Sequence, residues 1–481
     1  MTSVTGLKSL YCAAKRSQAI CKINQFIYSP LVIVLWGILT FAAFVCSKEI
    51  LFYSFVIIYG LYVIVFCDDL APIMPLFLLC YITASPSNNP SQAEDTLFYG
   101  VSGRMILCFG VIAVIALLAR VTFDQNVGWR RFFTKRRTLL GGIFALGASY
   151  LLSGLGSAHY AEFSNQNIIF ALIQFASIFL LYFLFSATVH WKKFNMDYFA
   201  CAGLVPGFVV LAELTWLYLT QNIILDGSID REMIFTGWGI HNNMGAIIAT
   251  AIPFSFYFAQ KKKHSSVYLI MAIILSVGVV FSCSRSSILF SAVVVLLSYI
   301  YTCVKAENKK EFAITSVLLV TLFVVVIALF REKLTVLFTH VPSITDVVEG
   351  NMVFNDSGRI DIYKAGFKAF LENPAIGQGF FCSDYDLYDF SIVDRFSSFF
   401  PPRWHNTIVQ LLATSGMTGL LAYTYHRWQT IRLFAKKHTV ANVYIALYIF
   451  VLLCMSLLDC HFFNVGPVLF YSMALAVAEY A

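Results

Sequence analysis

Residues 26–46 read FIYSPLVIVLWGILTFAAFVC, a run without a charged side chain. A run of about 20 apolar residues is long enough to cross a bilayer as an α-helix. Similar runs recur along the chain, and 59% of its 481 residues are hydrophobic while 12% are charged. Soluble domains carry about 25% charged residues, disordered chains have low hydrophobicity, and membrane barrels alternate apolar with polar positions. The sequence therefore excludes these classes and predicts an α-helical membrane protein.

The positions of the apolar runs predict an all-α polytopic membrane protein with about 12–14 transmembrane helices. The sequence shows no internal repeat and no second soluble domain. The predicted spans are 26–46, 50–66, 70–84, 103–123, 138–156, 167–189, 197–220, 237–259, 266–284, 286–303, 312–330, 404–425, 440–458 and 462–480.

The distribution of Lys and Arg predicts the orientation, because these residues concentrate in cytoplasmic loops. With the N-terminus in the cytoplasm, most of the 33 Lys and Arg residues fall on the cytoplasmic side. We therefore expect a multi-pass protein of the cytoplasmic (inner) membrane with both termini cytoplasmic and the first span retained. The net charge of +7 reflects this topology and not a nucleic-acid partner. The cytoplasmic segments are 1–25, 124–137, 190–196, 260–265, 304–311 and 426–439.

One connection, residues 331–403, is much longer than the others and is predicted to form a large extracytoplasmic loop. Loops of this length usually carry function. A helix from Arg359 to Leu371 would be amphipathic and suited to lie on the membrane surface. Its apolar face comprises Ile360, Tyr363, Phe367, Phe370 and Leu371. The predicted regions are an N-terminal transmembrane bundle at 1–234, core transmembrane helices at 235–330, the loop at 331–403 and C-terminal helices at 404–481.

Three ionisable residues lie at predicted outer helix ends and have two interpretations each. Arg285, in the sequence FSCSRSS at 281–287, either binds a ligand or reaches toward lipid headgroups. His405, in PPRWHN at 401–406, either accepts a proton near neutral pH or caps a helix. Arg359 is either a bidentate phosphate ligand or an ordinary surface arginine.

Four segments in order resemble the O-antigen ligase and polymerase family. They are SCSR ending at Arg285, SGR at 357–359, NPAIGQG at 373–379 and WHNTIVQLLATSGMTGLL at 404–421. Members of this family are bacterial membrane glycosyltransferases that use lipid-linked glycans. The resemblance covers roughly residues 235–460, and its most specific part is His405-Asn406 followed by Gly416 and Gly419.

The resemblance implies a role for each matching residue. His405 would be the catalytic base, Arg285 and Arg359 would bind a diphosphate, and Asp459 corresponds by position to an acidic residue of the family. The donor would be a glycan on undecaprenyl diphosphate and the acceptor a saccharide or a lipid-linked chain, at the outer face of the membrane. No cofactor and no metal ion would be required, and attack in line would invert the anomeric centre.

Several further residues are weaker candidates, and each has a structural alternative. His241-Asn242-Asn243 either lines the site or starts a helix, and Glu213 is either functional or paired within the bundle. Asn406, Arg231 and Arg403 are candidates for diphosphate or sugar contacts, although each arginine also has loop acids nearby. The Asp-x-Asp sequence at 384–386 has a spacing used to hold metals, yet such sequences are common in acidic loops.

The sequence leaves other functions open. A ligase transfers a finished glycan, whereas a polymerase of the same family extends a lipid-linked chain, and transfer to protein is a third variant. A lipid-linked glycan flippase would favour charges spread through the spans and internal repeats. A membrane scaffold without chemistry is the last alternative.

Overall fold

A computed structural model gives the structure of the protein. It describes residues 17–83, 137–155, 164–225, 228–230, 233–321, 359–380 and 404–480, with isolated positions within 13–15 and 112–120. Predictions for Arg231, Arg403 and the Asp-x-Asp sequence at 384–386 lie outside the described residues.

The described chain is almost entirely helical, as its apolar runs predict. The helices are α1 (Gln18–Ile27), α2 (Pro30–Cys46), α3 (Glu49–Phe66), α4 (Met74–Tyr81), α5 (Leu140–Ser153), α6 (Ser164–Phe175), α7 (Leu181–Thr188), α8 (Met196–Thr220), α9 (His241–Lys261), α10 (Ser265–Phe281), α11 (Arg285–Lys305), α12 (309–321), α13 (Arg359–Glu372), α14 (Thr407–Lys436), α15 (Val440–Ser456) and α16 (Val465–Tyr480). Short 3-10 helices cover Ala71–Ile73, Trp191–Lys193 and His461–Phe463, and a π-helical turn at Ala176–Leu180 joins α6 to α7.

Two short antiparallel hairpins interrupt the helices between α8 and α9. Strands β1 (Ile224–Leu225) and β2 (Ser228–Ile229) pair, as do β3 (Phe235–Thr236) and β4 (Gly239–Ile240). The predicted start of a span at residue 237 was therefore wrong, because the β3–β4 pairing extends to Ile240 and the helix begins at His241.

The lengths of the helices fit a multi-pass membrane protein. Among the described residues, four helical stretches are long and apolar enough to cross a membrane: Glu49–Phe66, Asn167–Thr188, Met196–Thr220 and Arg285–Lys305. The pair α1 and α2, bent by 69°, raises this number to five if it forms one span. Shorter apolar helices, including α5, α10, α15 and α16, pack among them. The protein is thus an all-α polytopic membrane protein.

Helix α14 differs most from its prediction. The predicted span ended at residue 425, whereas α14 runs to Lys436 and breaks at Gly416, where φ is 59° and ψ is −155°. Arg427, predicted to lie in a cytoplasmic loop, instead sits within this helix. Its guanidinium carbon is 4.7 Å from the ring centre of Tyr423 and 5.0 Å from that of Phe462. The helix does not end at the predicted position because a second helical segment begins at the Gly416 break and runs to Lys436.

Helix α9 is the central element of the bundle, because every residue from Met244 to Gln260 is buried. It packs against α8, α10, α11 and α15. Small residues such as Gly245, Ala246 and Ala249 let neighbouring helices approach closely. The N-terminus of α9 consequently lies in the middle of one end of the bundle.

The segments predicted to be cytoplasmic meet at the other end of the bundle, here called the opposite end. Asp69 lies 3.8 Å from His190, and Asp197 accepts hydrogen bonds from Lys261 and Lys262. Further contacts join Asn308 to Lys263, Lys437 to Glu479 and Arg120 to the residues after α3. These contacts join residues in or next to several of those segments at one end of the bundle.

Candidate active site

The first half of α14 begins with a tightly held turn that carries His405. Trp404 is fully buried, and its backbone N–H donates to Oε1 of Gln410 at 3.0 Å. Asn406 caps the helix, since its Oδ1 accepts from the N–H groups of Ile408 and Val409. Between them, His405 has a φ of 49°, a left-handed conformation that is uncommon outside glycine. Strain of this kind is often found at functional sites.

His405 meets Asp459, a residue far along the chain. Its Nδ1 lies 3.5 Å from Oδ1 of Asp459, in the connection between α15 and α16. The other carboxylate oxygen accepts a 3.3 Å hydrogen bond from Nδ2 of Asn242 on α9. The hydroxyl of Tyr363 on α13 donates to the backbone oxygen of His405 at 3.2 Å. Four separate segments thus converge on one His–Asp pair.

The electrostatics around this pair favour an ionised Asp459. Burial opposes ionisation, but the contact with His405 and the positive charges of His461, His405 and Arg359 outweigh it, so the pKa of Asp459 is lowered. Asp459 therefore remains a carboxylate at neutral pH and can stabilise a protonated His405.

Two predicted arginines occupy helix N-termini at this end, which we call the site end. Arg359 is the first residue of α13, and its charge acts on both Asp459 and Tyr363. Arg285 is the first residue of α11 and is exposed. Helix N-termini carry free N–H groups and a partial positive charge, which both favour anions.

The turn before Arg285 packs against the first turns of α9, which also supply Asn242 to the His–Asp pair. A Cβ atom added to Gly245 would come within 3 Å of the side chains of Ser282 and Ser287. Gly245 lies one helical turn after Asn242, the residue that contacts Asp459. Cys283 has a φ of 57°, and Ser284 caps α11 by accepting from the N–H of Ser287. The Arg285 turn and the His–Asp pair are thus both anchored on the first turns of α9.

Two of the segments that carried the family resemblance interlock at the break in α14. The N–H of Gln378 donates to Ala413 O at 2.8 Å, and the N–H of Met417 donates to Pro374 O at 2.8 Å. Gly377 and Gly416 both have positive φ, and a Cβ on Gly416 would lie 2.7 Å from the backbone of Ala375. Only glycine fits these positions without strain. The interlock fixes the direction of the short helical segment that carries His405.

The same loop is anchored to the N-terminal bundle through Phe380. The fully buried ring of Phe380 packs against Phe170 and Phe463, with ring centres 5.1 Å and 6.1 Å apart. The backbone N–H of Phe380 donates to Oδ1 of Asn167 at 2.7 Å. Asn167 is itself fully buried. The N-terminal bundle therefore helps to hold the loop at the site end.

The structure separates the sequence candidates into groups. His405, Asp459, Asn406 and Arg359 come together, and Arg285 lies at the same end. Asn242 belongs with them, although the sequence left it as a possible helix start, and its Asp459 contact could not be predicted from local spacing. Glu213 is fully buried and contacts Trp238. Among the described residues, no group of three or more His, Cys, Asp or Glu side chains is placed to hold a metal.

The predicted membrane-facing surface of α13 needs a correction. Ile360, Phe367 and Leu371 are exposed, as an amphipathic surface helix requires. Tyr363, assigned to the same face, turns instead toward the His405 backbone. The small residues Ala365, Gly366 and Ala369 form the packed face of the helix, against Trp404, Val409 and Ala413.

Comparison with known families identifies part of the chain. Residues 269–424 match the family model described as O-antigen ligase. This stretch contains Arg285, Arg359 and His405, whereas Asn242 and Asp459 lie outside it. A search of curated proteins found no match. The chain is thus a multi-pass membrane protein in which residues 269–424 are similar to the O-antigen ligase family.

Proposed function

We propose that this protein is a membrane glycosyltransferase that moves a glycan from undecaprenyl diphosphate to a saccharide acceptor. The observation that carries this proposal is the contact of His405 with Asp459 beside Arg359, within a chain that matches the O-antigen ligase family. The reaction takes place at the site end, which the Lys and Arg distribution assigns to the outer face of the cytoplasmic membrane.

The reaction exchanges one glycosidic bond for another. The acceptor hydroxyl attacks the anomeric carbon, the bond from that carbon to the diphosphate oxygen breaks, and the lipid diphosphate leaves with the electron pair. Negative charge grows on the leaving group as this happens. Arg359 and Arg285, at the N-termini of α13 and α11, provide guanidinium and backbone N–H groups that stabilise such charge.

His405 takes the proton that the acceptor hydroxyl loses. Its Nδ1 faces Asp459, which leaves Nε2 as the nitrogen able to accept the proton. The Asp459 carboxylate then stabilises the resulting imidazolium, and Asn242 holds the carboxylate in place. Displacement in line inverts the anomeric centre, and the groups named here complete the proton and charge balance without a cofactor.

Regions of the chain have separate tasks in this proposal. Residues 235–330 and 404–481 contribute Asn242, Arg285, His405 and Asp459, while the loop 331–403 contributes Arg359. The bundle at 1–234 supports the loop through Asn167 and Phe380. Arg231 and Arg403 remain proposed sugar or diphosphate contacts.

Purified protein in nanodiscs, supplied with an undecaprenyl-diphosphate glycan and candidate acceptors in EDTA, tests the proposal. We expect release of lipid diphosphate by the wild type and a loss of about 100-fold or more in His405→Ala, the usual range for a general base. The matched control is His264→Ala, an exposed histidine before α10, which should retain full activity. Retained turnover in a folded His405→Ala variant would refute the proposal.

The products of the same assay separate the alternatives. A single transferred glycan indicates a ligase, and a ladder of lengths indicates a polymerase. Movement of the lipid across vesicle membranes without any diphosphate release would assign the protein to the flippases instead.

A further inference from the structure

A second ionisable group lies in the bundle away from the His–Asp pair. Glu213 on α8 is fully buried, and its Oε2 accepts a 3.0 Å hydrogen bond from the indole Nε1 of Trp238. Its Oε1 has no hydrogen-bond partner within the described part of the chain. A carboxyl group in the interior of a membrane bundle is costly and usually marks a functional requirement.

Trp238 lies in the turn of the β3–β4 hairpin. Phe235 pairs with Ile240 across the hairpin, and Thr236 Oγ1 donates to Gly239 O at 3.1 Å. The Trp238 ring packs against Tyr81, with ring centres 5.7 Å apart. The bond to Glu213 is therefore a fixed polar contact between this hairpin and α8.

The hairpin leads directly into the helix that holds Asp459. Helix α9 begins at His241, and Asn242 on its first turn donates to the Asp459 carboxylate. Gly239 lies against the Asn243 side chain, since a Cβ placed there would come within 2.8 Å of it. Any shift of Trp238 would therefore move the first turn of α9 relative to Asp459.

We propose that Glu213 is a positioning residue for the His405–Asp459 pair, acting through Trp238 and Asn242. This inference deepens the proposed function and rests on it. The hydrogen bond from Trp238 to Glu213 holds the hairpin against α8, and the hairpin fixes the position of the first turn of α9. Asn242 on that turn then orients the carboxylate that contacts His405. The inference assigns part of the catalytic geometry to α8, outside the segment that matches the family.

Three variants in nanodiscs test the role: Glu213→Leu, Trp238→Phe and Glu213→Gln. Glu213→Leu removes the acceptor and Trp238→Phe removes the donor together with part of the ring, so each should lower kcat about 10- to 100-fold with little change in KM. The double variant should be no worse than either single one, because both remove the same bond. Glu213→Gln keeps an acceptor oxygen and should retain activity within about threefold of the wild type.

A matched control is Glu479→Gln, which alters a buried glutamate at the opposite end that bonds Tyr182 and Thr138. It should leave kcat unchanged, and Tm measured on every variant identifies losses that come from unfolding. Additive effects of Glu213→Leu and Trp238→Phe, or unchanged kcat in both, would overturn the positioning role. If His405→Ala is inactive in the same assay, that outcome leaves the proposed function standing; if His405→Ala is active, the proposed function itself fails.

Discussion

The two ends of the bundle use polar side chains in different ways. At the opposite end, Arg120 is 3% exposed and donates to four backbone oxygens, those of Val63, Ile64, Cys67 and Asp68. At the site end, His405 is about one-third exposed and touches Asp459 at 3.5 Å. A buried group that bonds the backbone of a neighbouring helix end stabilises the fold, whereas a group left accessible can act on a substrate.

The contrast also applies to helix termini. The last turn of α3 ends under the Arg120 guanidinium, which donates to the carbonyl oxygens of Val63 and Ile64. The N-termini of α11, α13 and α14 instead face the site end and carry Arg285, Arg359 and the His405 turn. The carbonyl end of α3 is closed by a side chain of the protein, whereas the N-termini of α11 and α13 place accessible arginines where an anionic substrate would bind.

The largest effect should come from Arg120→Ala. Loss of the guanidinium leaves several buried carbonyl groups without donors, and we expect the free energy of unfolding to fall by about 4 kcal/mol. Thermal unfolding in detergent measures this, with Arg432→Ala, an exposed arginine on α14, as the control. Arg120→Ala protein that is folded should keep the kcat of the wild type. A lower kcat in the folded variant would contradict the distinction between structural groups at the opposite end and functional groups at the site end.

The next effect concerns the break in α14. Gly416→Ala forces a side chain into a left-handed conformation against the backbone of Ala375, and should cost about 3 kcal/mol. Gly141→Ala is a suitable control, because Gly141 lies within α5 and a Cβ there would meet only the side-chain ends of Tyr425 and Gln429, at 3.2 Å and 3.4 Å. Equal Tm values for the two variants would show that the interlock with 373–379 does not stabilise the fold.

The sequence predicted the helices far better than their interruptions. Hydropathy located most of the described helices, because lipid requires long apolar runs. The break at Gly416 could not be predicted from the sequence, because it depends on backbone hydrogen bonds between residues 413–418 and a distant loop segment. Likewise the resemblance named His405 and Asp459 separately and did not predict their contact, because periodicity relates only neighbours on one element.

Two contacts of the site, those of Asn242 and Tyr363, were not predicted from the local sequence because they depend on packing between helices. Asn242 contacts Asp459 only because α9 occupies the centre of the bundle. Tyr363 was assigned to a membrane face because its spacing matches that face, yet the His405 turn draws its hydroxyl inward. Long-range contacts determine the orientation of such side chains, and these contacts cannot be predicted from a single sequence.

At the site end, Asp459→Asn should reduce kcat about 30-fold, equivalent to about 2 kcal/mol. The amide keeps the shape of the carboxylate but cannot stabilise the imidazolium that forms as His405 takes the proton. The exposed Asp361→Asn on α13 is the control. An unchanged kcat in Asp459→Asn would show that this carboxylate does not assist the proton transfer.

The smallest effect is a pH dependence of stability. The pKa of Asp459 is lowered in the folded protein because, although burial opposes its ionisation, its contact with His405 and the neighbouring positive charges prevail. A carboxyl group with a lowered pKa stabilises the fold fully above its unfolded pKa of about 4, and this stabilisation is lost as the pH falls toward the folded value. The wild type should therefore exceed Asp459→Asn in Tm by about 2 °C at pH 7, and the difference should shrink as the pH falls below about 4. Asp361→Asn, whose side chain is 71% exposed, should show no such convergence. A constant difference between wild type and Asp459→Asn from pH 7 to pH 3 would show that folding does not lower the pKa of Asp459, and that its contribution to stability does not depend on its charge.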